Sequence, residues 1–320
     1  MKVHILRPPD PDEFSVLKAA LDQRVILTSG PAVEKDPDVK ILVAGRPTRA
    51  ELDAFPNLQA LIIPWTGVPL DTLELVRSRP GLALHNLHDN AASTAELALA
   101  LLLAAAKKII PCDRQLRKGD WTLRYQDPGS ILLDGKRAVI VGYGSIGRRI
   151  ARALEGLGLE VSAVSRTGQG LHPRLYRVEK LRDLLPEADF LVLALPLTPE
   201  TKGLISAKEL DLLPSSAVLV NVARGAIVEQ AALYRALAEK RIAAAGLDVW
   251  YNYPSDEAAR TRTFPGDYPF QELDNLVLSP HRAANVQESN ALRMQALAAL
   301  LNQAAAGDAI DNCVDLEQGY

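Results

Sequence analysis

The sequence predicts an α/β protein with parallel sheets and two domains. Short runs of β-branched and aliphatic residues alternate with amphipathic helical patterns along almost the whole chain, which is typical of βαβ units. The chain has 320 residues, more than one hydrophobic core usually organises. Hydrophobic residues make up 48% of it and charged residues 23%, which is the balance of a folded globular protein.

The first hundred residues predict one α/β unit. Strands are expected at residues 2–6, 25–28, 41–44, 60–64 and 82–85, with helices between most of them. A long apolar helix then runs over residues 93–110, and Ser93, Thr94 and Glu96 are suited to its cap and first turn. We expect this helix to connect the two domains.

A second alternation of strands and helices begins at Arg137. Its further strands are expected at residues 161–165, 190–195, 217–223, 244–249 and 276–279. An alanine-rich helix over residues 287–305 follows, with no later strand for it to serve, so we expect it to return to the first domain. The predicted domains are therefore 1–98 with 285–320, and 99–284.

Composition excludes several classes of protein. A formal net charge of −3 provides no positive field for nucleic acid, and the longest charge-free apolar stretch, residues 97–106, is too short to cross a bilayer. Cys112 and Cys313 form no CxxC pair, which favours a reducing, cytoplasmic setting over a disulfide or zinc scaffold. His85 and His88 would point to opposite faces of an extended segment, so no metal site is expected.

A glycine-rich turn follows the strand that starts at Arg137. It matches GxGxxG between a hydrophobic strand and an amphipathic helix, and its residues are Gly142, Tyr143, Gly144, Ser145, Ile146 and Gly147. The glycines allow a tight turn, close approach of a pyrophosphate and close packing of helix on strand. A structural βα turn is the alternative, and Tyr143 excludes the Gly-x-Ser-x-Gly elbow of a hydrolase. The context predicts dinucleotide binding.

The next strand ends in Ser165, Arg166 and Thr167, where a ribose-binding carboxylate is expected for NAD(H). Hydroxyls and one positive charge would instead suit a 2′-phosphate. NADP(H) is therefore favoured and NAD(H) remains possible, because Arg166 could also stack on adenine or face solvent.

Six further motifs accompany the glycine turn. They are Asn90-Ala-Ala-Ser-Thr94-Ala-Glu96, Leu133-Asp-Gly-Lys136, Pro196-Leu-Thr-Pro-Glu-Thr201, Asn221-Val-Ala-Arg224-Gly225, Gly246-Leu-Asp248-Val249 and Ser279-Pro-His281. In order and spacing, over nearly the whole chain, they resemble the D-isomer-specific 2-hydroxyacid dehydrogenases, a family that includes phosphoglycerate, glyoxylate/hydroxypyruvate and formate dehydrogenases. The resemblance implies a Rossmann-like nucleotide-binding domain inserted into a flavodoxin-like substrate domain, with the active site in the cleft, and a homodimer.

The resemblance also implies the chemistry and its residues. Hydride moves between a nicotinamide cofactor and a small 2-oxo or 2-hydroxy acid; Arg224 holds the carboxylate and polarises the carbonyl, and His281 donates or accepts the proton. The family usually has a glutamate beside this histidine, and here the position is Tyr253. Without that carboxylate we expect a lower pKa for His281. Tyr253 contacts the substrate or simply packs the loop.

Further residues are placed by the same resemblance. Trp65, Gly67 and Val68 lie in the loop whose backbone amides bind the substrate carboxylate, although Trp65 could equally be core. Asp248 is implied as the partner of the nicotinamide carboxamide. Other residues implied near the cofactor are Thr94, Leu195, Pro196, Thr201, Val222 and Ala223. Thr94 could instead be only a helix-start residue and Thr201 only a loop hydroxyl. The long segment 251–273, with five aromatics, either covers the cleft or forms an interface.

Two other functions remain open at this point. The fold is also used by corepressors that sense NAD(H) without catalysis, although the acidic balance and the lack of interaction tails argue against this role. The missing glutamate also permits oxidation of an unusual small substrate such as formate, since formate dehydrogenases of the family lack it too.

Overall fold

The computed structural model describes residues 1–31, 34–126, 129–170 and 172–320. The chain divides into two compact units. The first combines Met1–Asn90 with Asn285–Tyr320, and the second is Ala91–Ala284. The second unit therefore interrupts the first in sequence.

The first unit contains a five-stranded parallel sheet in the order β2-β1-β3-β4-β5. Its strands are β1 (Lys2–Ile5), β2 (Ile26–Ser29), β3 (Val39–Val43), β4 (Ala60–Ile63) and β5 (Ala83–Asn86). This is the order of flavodoxin-like sheets, as the sequence predicted. Its helices are α1 (Pro11–Ala20), α2 (Arg49–Asp53), α3 (Leu70–Arg77) and α11 (Ser289–Ala306).

Two apolar clusters of this unit lie on opposite faces of its sheet. One joins Leu61 and Leu84 to the helical residues Leu52 and Leu73. The other joins the strands to Leu17 of α1 and to Leu297 and Leu301 of α11, which pack against each other. The alanine-rich carboxy-terminal helix thus belongs to the first unit because its buried side chains complete that unit's core.

The second unit contains a seven-stranded parallel sheet in the order β12-β11-β10-β9-β6-β7-β8. Its strands are β6 (Arg137–Val141), β7 (Glu160–Ser165), β8 (Leu175–Arg177), β9 (Phe190–Leu193), β10 (Val218–Asn221), β11 (Ala244–Leu247) and β12 (Leu276–Leu278). The strand order reverses between β6 and β9, so the loops after these two strands flank the switch point where ligands of doubly wound sheets bind.

Helices cover both faces of this sheet, and the buried strands are apolar for that reason. The helices of this unit are α4 (Ala91–Ala106), α5 (Ile109–Leu116), α6 (Thr122–Tyr125), α7 (Ser145–Gly156), α8 (Leu181–Leu184), α9 (Ala207–Leu212) and α10 (Gln230–Ala238). The fold class predicted from the sequence, two Rossmann-like units with parallel sheets, is confirmed.

Several predicted boundaries differ from the structure. The helix predicted over 93–110 ends at Ala106, because Lys108 adopts a left-handed conformation with φ of 53° and a separate helix, α5, begins at Ile109. The predicted domain limit between 98 and 99 falls inside α4, whereas the compact units divide after Asn90, since α4 packs on α7, β10 and β11. Strand β8 was missed because its three residues are only partly buried or exposed.

No helix in the described part of the chain is long and apolar enough to cross a membrane.

Candidate active site

The glycine turn connects β6 to α7 at the switch point of the seven-stranded sheet. Gly142 has a φ of 96°, and a Cβ there would strike the carbonyl of Ala194 at the end of β9. A Cβ on Gly147 would strike the Gly142 carbonyl. Both positions therefore require glycine for close packing of the turn, the first helical turn and the neighbouring strand.

Gly144 differs from its neighbours in the turn. It precedes α7 as the capping residue and is exposed, and a Cβ built on it meets nothing within 4 Å. The amino terminus of a 12-residue helix thus begins beside open space that a side chain would fill. The turn fits a dinucleotide pyrophosphate.

Tyr143 and the segment after β7 border the same turn. The Tyr143 ring packs edge-on against His172, with ring centroids 5.3 Å apart, and His172 contacts Glu155 of α7 through Nε2 and Oε1 at 3.0 Å. The Ser165 hydroxyl oxygen accepts a hydrogen bond from the Gly168 N–H at 3.0 Å, so it closes a tight turn. Arg166 and Thr167 follow it and are exposed.

The loop after β9 is held by its own hydroxyls. Thr201 Oγ1 donates to the Pro196 carbonyl at 2.7 Å and accepts from the Thr198 N–H at 2.7 Å. Pro196 is exposed and Leu195 is half-buried at the edge where Gly142 lies. Thr201 therefore shapes the loop, and Ala194 and Leu195 at its start lie against Gly142 of the turn.

Arg224 follows β10 in a turn that Asn221 braces. Asn221 is 1% exposed; its Oδ1 accepts from the Ala223 N–H and its Nδ2 donates to the Arg224 carbonyl, both at 3.0 Å. Val222 and Ala223 are buried, while the Arg224 side chain is exposed, with Nη1 donating to the Ala223 carbonyl at 2.7 Å. The turn thus presents a fixed guanidinium at the carboxyl edge of the sheet.

His281 lies in the turn after β12. It is exposed and adopts a left-handed conformation with φ of 53°. The side chain of Asp248, fully buried after β11, accepts hydrogen bonds from both sides of this turn: from the Ser279 hydroxyl at 2.5 Å, from the Arg282 N–H at 2.9 Å and from the Ala283 N–H at 3.0 Å. The imidazole is therefore carried by a turn that is tied to the neighbouring strand.

The surroundings of His281 set its protonation. Partial burial of the imidazole lowers its pKa, and the nearby positive charge of Arg224 lowers it further. The negative charge of Asp248 opposes both effects. Tyr253 packs against the imidazole with ring centroids 5.5 Å apart, and its hydroxyl accepts from the Trp250 N–H at 3.1 Å. At the position where the family usually has an acid, this chain presents a neutral ring.

The aromatic segment after β11 is folded onto the second unit. Phe270 is fully buried in its core and stacks with Tyr251, whose hydroxyl donates to the Val228 carbonyl at 3.0 Å. Burial raises the pKa of Tyr251, so that hydroxyl stays protonated. Phe264 remains 64% exposed. The segment is thus anchored by its two ends.

The predicted substrate loop lies in the first unit, after β4. The Trp65 indole covers Gly45, where a Cβ would collide with the ring, and it is still 41% exposed. The Thr66 carbonyl accepts from Asn86 Nδ2 at 2.6 Å, and the Thr66 hydroxyl donates to Asn90 Oδ1 at 2.7 Å. Gly67 and Val68, which follow, are half-buried. Trp65 is therefore a surface residue whose ring packs on Gly45, and it is not part of the core.

Sequence reasoning missed the supporting residues of the site. Asn221 and Ser279 stand inside quoted motifs, which was the available signal. Asn221 bonds within its own turn, to Ala223 and Arg224, whereas Ser279 bonds to Asp248 of another loop. Trp250, whose Nε1 donates to the Ser279 carbonyl at 2.7 Å, had no signal beyond its aromatic character. Thr94, implied near the cofactor, is a buried residue in the first turn of α4.

Among the described residues, no group of three or more His, Cys, Asp or Glu side chains is arranged to hold a metal ion.

The family to which the chain belongs follows from its match to a sequence model. Residues 99–283 match the model described as D-isomer specific 2-hydroxyacid dehydrogenase, NAD binding domain. The chain is a member of the D-isomer-specific 2-hydroxyacid dehydrogenase family. The family resemblance stated from the motifs is confirmed.

Curated relatives agree with this 2-hydroxyacid dehydrogenase assignment. A glyoxylate reductase of Pyrococcus horikoshii is 36% identical over 259 residues, which cover 78% of this chain and 75% of that protein. A D-3-phosphoglycerate dehydrogenase of Methanocaldococcus jannaschii is 28% identical over 326 residues, covering 99% of this chain; the match spans only 60% of that longer protein.

A solved structure matches along the whole chain. It is a D-isomer specific 2-hydroxyacid dehydrogenase from Xanthobacter autotrophicus Py2 in complex with NADPH and MES, with a TM-score of 0.80 and 28% identity, covering 100% of this chain and 99% of that one. As a 2-hydroxyacid dehydrogenase, the chain is a nicotinamide-dependent oxidoreductase that transfers hydride between NAD(P)(H) and a 2-oxo or 2-hydroxy acid.

Proposed function

We propose that this dehydrogenase is an NADPH-preferring reductase of small 2-oxo acids, in which Arg224 binds the substrate carboxylate and His281 is the acid/base. The observation that carries the proposal is the pair of Arg224 and His281 at the carboxyl edge of the seven-stranded sheet. The guanidinium lies close enough to the imidazole to lower its pKa. The glycine turn suited to a dinucleotide lies at the same edge of the sheet.

Arg224 suits its role because a guanidinium is planar, permanently charged and able to bind a carboxylate through two parallel hydrogen bonds. Asn221 fixes the turn that presents it. We also propose Trp65, Gly67 and Val68, in the loop after β4 of the first unit, as substrate-binding residues: backbone amides there suit a carboxylate, and the exposed indole suits a substrate side chain.

His281 moves the proton. In reduction, the imidazolium donates its proton to the carbonyl oxygen as hydride reaches the carbon, and in oxidation the neutral ring accepts the hydroxyl proton. A dinucleotide whose pyrophosphate lies at the Gly142 turn would supply or accept the hydride through its nicotinamide ring. Because the pKa of His281 is lowered, the neutral ring predominates at neutral pH, and reduction gains as the pH falls towards that pKa.

The preference for NADPH rests on the segment after β7. It carries the exposed Arg166 and Thr167 and lacks a carboxylate at Ser165, which would repel a 2′-phosphate. The relative from Xanthobacter autotrophicus was solved with NADPH, which supports the same preference.

We also propose a homodimer. Large apolar side chains are exposed along and after α5, and a second copy would cover them; they are Ile109, Ile110, Leu116, Trp121, Tyr125 and Leu132. Light scattering of the purified protein should give twice the chain mass of 34.7 kDa.

A cytoplasmic location is proposed because Cys112 and Cys313 are both free and exposed, as a reducing compartment allows.

The first experiment follows oxidation of NADPH and NADH with glyoxylate, hydroxypyruvate, pyruvate and an aromatic 2-oxo acid, for the wild type and for His281→Ala. We expect turnover with the small acids, faster with NADPH, and a loss of about 10²- to 10⁴-fold in kcat in the variant. Tight cofactor binding without turnover on any substrate would instead favour a sensor, and activity with formate alone would favour one-carbon oxidation.

A further inference from the structure

The loop between β7 and β8 carries Arg166 and Thr167, the residues that the proposed function assigns to the 2′-phosphate of NADPH. A hydrogen bond from the Gly168 N–H to the Ser165 hydroxyl oxygen, at 3.0 Å, bends the chain at this point. That bond is local, so it shapes the loop without holding it to another element. Contacts to other elements are made by His172, further along the same loop.

The His172 side chain is 5% exposed, and both of its ring nitrogens are hydrogen-bonded. Nδ1 accepts from the Arg174 N–H at 3.1 Å. Because a backbone N–H can only donate, Nδ1 carries no proton and the proton of the ring lies on Nε2. Nε2 therefore donates to Oε1 of Glu155, on α7, at 3.0 Å. The imidazole thus joins the loop to α7.

The same ring also contacts the glycine turn. Tyr143, which lies between Gly142 and Gly144, packs edge-on against the imidazole with ring centroids 5.3 Å apart. A Cβ built on Gly170 would lie 4.0 Å from the Tyr143 ring, so the backbone of the loop passes beside it. His172 therefore connects the loop to the helix and the turn at which the pyrophosphate is proposed to lie.

We infer that His172 is a positioning residue for the adenosine end of NADPH. Its ring, held by α7 and the glycine turn, fixes the loop in the conformation that presents Arg166 and Thr167 to the 2′-phosphate. The ring is buried and both nitrogens have protein partners, so His172 acts through the two residues that it positions. A loop that is already ordered binds more tightly, because ordering it on binding would cost free energy. The inference rests on the proposed preference for NADPH.

The 2′-phosphate is the one group that distinguishes NADPH from NADH. A residue that positions the loop for this phosphate should therefore affect one cofactor and spare the other, whereas a general loss of structure should weaken both. The smallest pair of probes with the same difference is adenosine 2′,5′-bisphosphate and AMP. The ratio of their dissociation constants reports the role of His172 and requires no turnover.

The test is isothermal titration calorimetry of the wild type and His172→Ala with these two nucleotides. We expect the dissociation constant for adenosine 2′,5′-bisphosphate to rise about 5- to 50-fold in the variant, and that for AMP to stay within about twofold. His172→Gln should restore part of the loss, because its side-chain NH₂ can still donate to Glu155.

Arg174→Gln is the matched control. The Arg174 side chain belongs to the same loop and pairs with Glu160 on the surface at 3.0 Å, whereas only its backbone N–H bonds to His172. This variant should leave both dissociation constants within about twofold of the wild type.

A double variant tests how the effect reaches the ligand. If His172 acts by positioning Arg166, the combination of Arg166→Ala with His172→Ala should bind the bisphosphate at most about twofold more weakly than Arg166→Ala alone. Losses that multiply would show that His172 acts independently of Arg166, and the inference would be overturned.

Two other results separate this inference from the proposed function. If the wild type binds adenosine 2′,5′-bisphosphate no more tightly than AMP, the preference for NADPH is wrong and the inference falls with it. If the wild type prefers the bisphosphate and His172→Ala keeps the same ratio, the preference for NADPH stands and the inference alone is overturned.

Glu155→Ala provides a second route if His172→Ala does not fold. It removes the same hydrogen bond from the side of α7, and its side chain is 47% exposed, so little packing is lost. The dissociation constant for the bisphosphate should rise at least about threefold, with that for AMP unchanged. An unchanged value for the bisphosphate overturns the inference.

Discussion

At the scale of single residues, the site depends on charge at one imidazole. His281 faces a permanent cation, Arg224, and an aromatic ring, Tyr253, and the carboxylate that raises its pKa, Asp248, is buried and accepts three hydrogen bonds. The protonated form of His281, which the proposed mechanism needs for reduction, is therefore disfavoured. The reductive rate should be full below the pKa of His281 and decline as the pH rises through it, at a lower pH than for an ordinary histidine.

Tyr253→Glu should move that decline. A carboxylate beside the imidazole favours the imidazolium, so the pKa seen in the pH profile of reduction should rise by about one unit. Tyr253→Phe is the control, because it removes only the hydroxyl that accepts from the Trp250 N–H and should leave the pKa in place. An unchanged profile in Tyr253→Glu would show that the acid-side group is not His281.

The proposed preference for NADPH can be tested at a single residue. Arg166→Ala should raise the KM for NADPH about 10- to 100-fold, the loss expected for one charged contact to a phosphate, and leave the KM for NADH within about twofold. Arg137→Ala is the matched control, since Arg137 is exposed at the opposite end of the same sheet and pairs with Glu187. Equal losses with both cofactors would place Arg166 on a group that they share.

At the scale of elements, two glycines of the turn between β6 and α7 are expected to affect different properties. Substitution of Gly144 should weaken NADPH binding, and substitution of Gly147 should lower the free energy of unfolding. Gly144→Ala adds a methyl group to open space, at a φ of −82° that alanine adopts freely. It should change the free energy of unfolding by less than about 0.5 kcal/mol, yet weaken NADPH binding at least tenfold.

Gly147→Ala provides the contrast. Its methyl group meets the Gly142 carbonyl, so the variant should lose about 1–3 kcal/mol of unfolding free energy, measured by urea denaturation. If Gly144→Ala binds NADPH as tightly as the wild type, the pyrophosphate does not approach the turn at that residue.

At the scale of the whole molecule, the residues assigned to the cofactor all belong to the unit Ala91–Ala284. NADPH at 100 times its dissociation constant should stabilise that unit by about 2.7 kcal/mol. Hydrogen exchange followed by mass spectrometry should show this as slower exchange in β6, β7 and β9. Slower exchange confined to the strands of the first unit would contradict the assignment.

Local patterns were enough for much of this protein. Alternating strands and helices predicted both sheets, and the flanks of Gly142 predicted the dinucleotide turn, because each signal depends on neighbours in sequence. Helix limits were less well determined. The helix was predicted to end just before Pro111, whereas the break lies three residues earlier, at Lys108, and β8 is too short and too exposed to stand out.

By itself, the sequence determined the two α/β units, the kind of cofactor and the identity of the candidate pair Arg224 and His281. Only the tertiary structure decided how these residues are held, since the buried carboxylate of Asp248 meets its three donors across more than thirty residues of chain. Parallel strands bring their carboxyl ends to one edge whatever lies between them in sequence, so contacts among the loops at that edge leave no local pattern.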